Sequence, residues 1–289
     1  MLLSYITTEF NGTLTLDQLL RGPLSLSARE VREAKRLGLT VDGAPFFANQ
    51  RIGAGRTVAI PLAEYDMPTD FSAPAEVDIL YQDDALIAVR KPAPLQVHPS
   101  PSAPRGADTL EGRVQSYLRG GAHPVHRLDA ETTGIVLFAK LPYVQAHIQR
   151  QMQADTFRKE YLALVCGVLP ESEGVIDAPI DRVAPDSFTR AVLPGGQRAV
   201  THYRVEQTAG NRALVRLRLE TGRTHQIRVH LSHIGCPICG DYLYGRELPE
   251  LKDRFALHSA RLRCVQPVTG ETVNIVEPMP EAMEKLLCV

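Results

Sequence analysis

PVHRLDAETTGIVLFA, residues 124 to 139, sets a histidine, an arginine and two acids directly before one of the most apolar runs in the chain. The run GIVLFA reads as a buried strand, so the polar residues occupy the loop that enters it. Two readings stand for Asp129 and Glu131: they cap a solvated turn, or one of them is held there for chemistry. A carboxylate on such a loop is partly desolvated, which raises its pKa unless a cation compensates. An aspartate used as a nucleophile must be ionised and oriented, so an arginine is expected beside it. Arg127 is adjacent in sequence, but neighbours on an extended chain point in opposite directions. The compensating cation should come from elsewhere, which leaves Arg127 for another task.

Strand signals extend in both directions from this point. DILYQDDALIAVRK reads as two strands around Asp83-Asp84, and EYLALVCG, VTHYRVE and ALVRLRLE carry β-branched residues with partial alternation. Two helices interrupt them, PYVQAHIQRQMQ with Pro142 in a first turn, and Thr224 to Ile234 closed by Gly235. Many strands and few helices predict an α+β domain with a curved, mainly antiparallel sheet over residues 77 to 289. Residues 1 to 63 form a separate unit. There LTLDQLL and a helix capped by Ser27 and Glu30 lead into a hairpin turned at Asp42-Gly43, followed by the strand TVAI. Residues 64 to 76 are polar, carry proline and show no period, as a linker would. PAPLQVHPSPSAPRGA reads as a long proline-rich loop.

With 289 residues, 44% hydrophobic and 22% charged, the composition is that of a globular protein. No apolar run is long enough to span a bilayer and the start has no secretory pattern, so the expected location is the cytoplasm, away from membranes. Five cysteines, an odd number, argue against a disulfide framework. The net charge of −1 advertises no polyanionic partner. Distribution says more: nine arginines fall between Asp181 and Arg228 against four acids. They make either a local basic surface or a set of solvated strand faces.

HRLDAETTG resembles the His-Arg-Leu-Asp-x-x-Thr-Ser-Gly signature of RluA-type RNA pseudouridine synthases, with Thr133 in place of the usual serine. ILYQDDALIAVRKPAPLQVHPS, RKEYLALVCG, LETGRTHQIRVHLSHIGCPICGDYLYG and FALHSARLRCVQPVTGE resemble further stretches of the family, in order, over residues 77 to 277. The N-terminal unit resembles the S4-type RNA-binding module. The resemblance implies catalytic roles for Asp129, Tyr161 and Arg228. Asp129 would attack either C6 of the uracil or C1′ of the ribose. Tyr161 would stack on the base and assist loss of the C5 proton, and Arg228 would pair with Asp129. Arg127 would fill the space left by the flipped uridine. Arg158, Lys159 and Arg223 are candidate phosphate contacts. Tyr161→Phe and Arg228→Ala are expected to leave the fold intact and remove most turnover. The implied partner is RNA, large-subunit ribosomal RNA by family association with transfer RNA as the alternative, and no cofactor or protein partner is required. No apolar helix face is left spare, so a monomer is expected.

Rival readings come from other classes. Asp129 with Glu131 could serve as the two acids of a nucleoside or glycoside hydrolase, and the fold could belong to a non-catalytic RNA-binding protein. His225, His230, His233, Cys236 and Cys239 have spacings that suggest zinc. Against it, His225 and His230 diverge on a helix and the cysteines read as small apolar residues, so no metal is expected.

Overall fold

The computed structural model describes residues 1–9, 11–65, 76–100, 103–104 and 106–287. The chain begins with β1 (Leu2–Ile6), α1 (Leu16–Arg21), α2 (Ala28–Arg36), β2 (Thr40–Val41), β3 (Ala44–Pro45) and β4 (Thr57–Pro61). Ser27 caps α2 reciprocally: its hydroxyl accepts from Glu30 N–H while Glu30 accepts from Ser27 N–H. Asp42 and Gly43 both have positive φ, 49° and 78°, which suits the two-residue turn between β2 and β3. β1 carries no clear period in the sequence, yet it pairs antiparallel with β4 and completes a sheet ordered β1-β4-β2-β3. Most of the expected linker, 64 to 76, lies outside the described residues.

The second part starts with β5 (Asp78–Gln82), β6 (Leu86–Lys91), α3 (Leu110–Leu118), β7 (His123–Pro124), β8 (Thr133–Ala139) and α4 (Pro142–Gln153). It continues with β9 (Arg158–Cys166), β10 (Glu173–Asp177), β11 (Ile180–Arg182), β12 (Arg190–Val192), β13 (Val200–Ala209) and β14 (Arg212–Leu219). It closes with α5 (Gln226–His233), β15 (Leu257–Val265), β16 (Thr272–Val276) and α6 (Glu281–Leu287). A ten-stranded sheet runs β10-β13-β14-β9-β15-β8-β6-β5, with β16 on β15 and β7 on β8. The fold is α+β with a mainly antiparallel sheet. Two helices beyond the expected pair, α3 and α6, join it.

β8 is buried along its whole length and shows why the apolar run reads as it does. Ile135, Leu137 and Ala139 enter one apolar cluster, while Val136 and Phe138 enter another on the opposite face. Each of the four larger side chains contributes roughly 2 kcal/mol of transfer free energy, and Ala139 less. The sheet's parallel pairing, β8 beside β15, sets His258 opposite Thr133 and Ser259 opposite Gly134. Gly134 has φ +108°, and a Cβ there would lie 2.7 Å from Ser259 N, so glycine is needed for the approach. Ser259 in turn pairs with Tyr161 on β9. One row across three strands thus brings the loop before β8 next to Tyr161.

The N-terminal unit packs against α4 through the loop between α1 and α2. Leu24, Leu26, Tyr143, Val144 and Ile148 share one apolar cluster, and Arg150 donates to Ser25 O at 2.6 Å. The sequence places the cysteines outside any disulfide framework, with Cys239 a small apolar residue; in the structure Cys166 on β9 and Cys239 instead form a disulfide. Cys236 and Cys264 are free and buried. Among the described residues no helix is long and apolar enough to cross a membrane.

Candidate active site

Asp129 lies on the loop into β8, where Leu128 packs against apolar clusters on two sides and Thr132 N–H donates to Asp129 O at 3.1 Å. His126 pins the same loop: its Nε2 accepts from Leu137 N–H at 3.2 Å, and burial pushes its pKa well below the ordinary value. The expected cation arrives from α5. Arg228 Nη1 donates to Asp129 Oδ2 at 3.1 Å. The Arg228 side chain is 2% exposed and that of Asp129 27% exposed, so a buried cation meets a carboxylate that still opens outward.

Asp129 is the second acid on this guanidinium. Asp241, fully buried, takes Arg228 Nε at 2.7 Å and Nη2 at 2.9 Å. Asp241 Oδ1 also accepts from the N–H groups of Leu243 and Tyr244, which completes its coordination. Burial works against the charge on Arg228, but Asp241 and then Asp129 outweigh it and hold its pKa above the usual arginine value. Phe255 and Tyr244 cover the guanidinium, with ring centroids 4.3 Å and 5.0 Å away. One cation thus serves two carboxylates: Asp241 is satisfied, whereas Asp129 holds only one of its N–H groups. Arg228 is therefore also part of the core. Arg228→Ala would strand a buried carboxylate, so the fold is not a bystander to that substitution.

Tyr161, on β9 between β14 and β15, is 4% exposed. Burial, reinforced by the charge of Asp129, raises its phenol pKa above the usual value, so it stands neutral. His225 caps α5 in a left-handed conformation, φ 59°, which is why the helix starts at Gln226 and not at Thr224. Its Nε2 lies 4.0 Å from Asp129 Oδ2 and its Nδ1 is 2.8 Å from Tyr244 Oη. Burial lowers the His225 pKa, although Asp129 pulls the other way. Behind the loop, the fully buried Lys91 donates to Pro92 O, Leu95 O and Ala130 O at 2.8, 2.8 and 2.6 Å. Burial pushes it down to about 7, opposed by Glu131 and Asp129. Lys91 thereby ties the turn after β6 to the residue following Asp129.

The remaining candidates divide. Arg127 is exposed and donates to His98 Nε2 at 3.0 Å, pointing away from the Asp129 pair as alternation requires. Lys159 shares a strand face with Tyr161, and burial alone pushes it down to about 8. Arg158 alternates to the other face and pairs with Asp155 at 2.6 Å, so it is not brought to the site. Arg223 sits beyond His225, in a cavity described below. Glu131 is half-buried, not a free solvated acid, and accepts from Tyr242 Oη at 3.3 Å. The candidate metal set is engaged elsewhere: His230 uses both ring nitrogens, on Thr201 Oγ1 and Ala178 O at 2.9 Å each, and Cys239 is bonded to Cys166. Asp241, Lys91 and Tyr244 escaped the sequence reading, and His225, weighed there as a zinc ligand, lies instead between Asp129 and Tyr244. A Lys-Pro pair and the segment GDYLYG were the available signals, but their partners lie far along the chain.

Residues 85–233 match the RNA pseudouridylate synthase family. YjbO of Bacillus subtilis, described as an uncharacterized RNA pseudouridine synthase, is 35% identical over 273 residues, 92% of this chain and 96% of that protein. Ribosomal large subunit pseudouridine synthase D of Nitrosomonas europaea is 38% identical over 261 residues, 86% of this chain and 76% of that protein. Among solved structures, human RNA pseudouridylate synthase domain containing 4 is similar, with a TM-score of 0.57 and 27% identity over 72% of this chain and 90% of that one. The chain belongs to the RNA pseudouridylate synthase family, in its RluA-type branch, and is an isomerase of uridine in RNA.

Proposed function

We propose that the chain converts uridine to pseudouridine in large-subunit ribosomal RNA, with Asp129 as the nucleophile. The observation that supports this most is the single hydrogen bond from buried Arg228 to a carboxylate that remains open to an incoming base. The uridine leaves the helix and enters beside Asp129, while Arg127, exposed at the loop, fills the gap and offsets part of the few kcal/mol that extrusion costs. Asp129 bonds to the nucleoside, the C1′–N1 bond breaks, the uracil turns, C5 bonds to C1′, and the bond to Asp129 breaks to return the free carboxylate. The C5 proton then leaves and N1, freed from the sugar, takes up a proton, so the product is an isomer of the substrate. Nothing is oxidised or reduced, so the residues present suffice without a cofactor. Arg228 balances the charge of Asp129 as it forms and releases the covalent bond. Tyr161 stacks on the base and, as a neutral phenol, relays the C5 proton rather than acting as a standing phenolate. Lys159, on the same face, supplies positive charge to the strand's phosphate.

The ribosomal target follows relatives named ribosomal large subunit pseudouridine synthase D. The N-terminal unit, residues 1 to 63, is read as an S4-like RNA-docking module joined by a linker to a catalytic domain from residue 77. Its basic side chains are partly balanced, with Lys35 on Asp17 at 3.5 Å and Arg36 on Glu33 at 2.8 Å. The working form is a monomer in the cytoplasm. The test is tritium release from C5-labelled uridine in bulk RNA. Wild type should release tritium and Asp129→Ala should not, a loss of at least about a thousandfold for removal of a nucleophile. Glu131→Gln should retain most of the rate. Full activity in Asp129→Ala, or none in Glu131→Gln, would overturn the assignment.

A further inference from the structure

The nine arginines between Asp181 and Arg228 fall into three groups. Arg198, Arg204, Arg216, Arg218 and Arg228 each lie within 4.0 Å of a carboxylate. Arg212 donates to Leu286 O. Arg182, Arg190 and Arg223 pair with no carboxylate among the described residues, and all three line one cavity of about 300 Å³.

Neutral acceptors hold these three side chains in place. Arg182 Nη1 donates to Pro185 O at 2.8 Å, and Arg190 Nη1 to Ser187 O at 3.1 Å. Arg223 is held twice, Nε on Arg198 O at 3.0 Å and Nη1 on Gln197 Oε1 at 2.9 Å. The acid on the lining is Asp181, which accepts from the backbone N–H of Arg182 at 2.7 Å. Three cations against one anion leave the cavity doubly positive. Guanidinium groups fixed by carbonyls keep their remaining N–H donors and their whole charge for an outside anion.

The cavity adjoins the Asp129 site. Arg190 N–H donates to Tyr244 Oη at 2.8 Å, and that hydroxyl bonds His225, whose other nitrogen faces Asp129. One tyrosine and one histidine form the partition. We propose that Arg182, Arg190 and Arg223 form a binding site for a phosphodiester of the RNA strand, a few nucleotides from the uridine at Asp129. The inference rests on the RNA-isomerase reading and adds to it how the strand is gripped. The site belongs to the β11–β12 hairpin and to the loop before α5, so a bound phosphate would also fix His225 and Tyr244 against Asp129.

The test uses the whole protein and C5-tritiated bulk RNA from cells that lack the gene. Arg182→Gln and Arg190→Gln, singly and together, keep the backbone bond to Tyr244. For the double variant, kcat/KM should fall about tenfold, chiefly through KM, and the slope of log affinity against log salt should shrink by about one to two. Arg204→Gln, which removes an arginine already paired with Glu206, should match wild type in both readouts. Inorganic phosphate at constant ionic strength should weaken RNA binding by wild type more than by the double variant. Unchanged KM and salt slope in the double variant would overturn the proposal. So would phosphate binding at the three arginines that leaves RNA affinity untouched, which marks a site for free phosphate. Failure of the underlying reading looks different: wild type itself would release no tritium.

Discussion

Arg216 and Arg228 make the same pattern of bonds in opposite surroundings. Arg216 is bidentate on Glu206, Nε at 2.7 Å and Nη2 at 3.2 Å, and gives Nη1 to Glu160 at 3.1 Å. Arg228 is bidentate on Asp241, at 2.7 and 2.9 Å, and gives Nη1 to Asp129 at 3.1 Å. The two side chains are 32% and 2% exposed. Glu160 and Tyr161 are neighbours on β9, so the two triads occupy opposite faces of one sheet. Bond count does not separate a surface ladder from the proposed reaction site here. Water does, because it screens one set of charges and is excluded from the other.

The comparison breaks most visibly at Arg228. Arg228→Met leaves Asp241 unpaired in a dry interior, and urea unfolding should show a loss of about 3–5 kcal/mol, together with loss of tritium release. If Arg228→Met unfolds like wild type, the burial argument is wrong. A smaller effect comes from acid. Burial pushes the pKa of His258 down to about 4, and its Nδ1 faces Thr133 Oγ1 at 2.9 Å beside the loop that carries Asp129. A histidine with a lowered folded pKa takes up its proton more readily when unfolded. Stability should therefore be whole above pH ~6.5 and decline as pH falls from there to about 4, by about 3 kcal/mol in total. His258→Gln should flatten that limb in unfolding curves measured across the range, and an unchanged slope would remove His258 from the account. The smallest effect belongs to the surface triad. Arg216→Met should cost less than ~1 kcal/mol, and the difference should shrink further in high salt.

Several features were legible along the chain because their causes are local. The Ser27–Glu30 box, Pro142 at the start of α4, and the Asp42-Gly43 turn each act within four residues. β8 was legible because both its faces are apolar. The need for a distant cation at Asp129 followed from strand alternation, and Arg228 followed from the family motif. Asp241 was not legible, since an aspartate in a turn has the same appearance whether it caps or clamps. Lys91 was hidden for the same reason: a lysine held by three carbonyls cannot be told from a solvated one until the chain has folded around it. β1 needed β4 to become a strand, and Cys166 found Cys239 only where the segment after α5 runs beside β9.

The sequence by itself determined the chemistry available: which side chains exist, the helices with their own stop signals, the buried strand, and the family to which the motifs belong. Only the tertiary structure decided which of nine arginines faces a dry carboxylate, which are neutralised in water, and which three converge on one cavity with charge to spare, apart from Arg212 on the Leu286 carbonyl. The physical reason is that burial and pairing depend on distances between residues far apart in the chain. Gly134 against Ser259 and Arg228 against Asp129 acquire their energies only when the strands close.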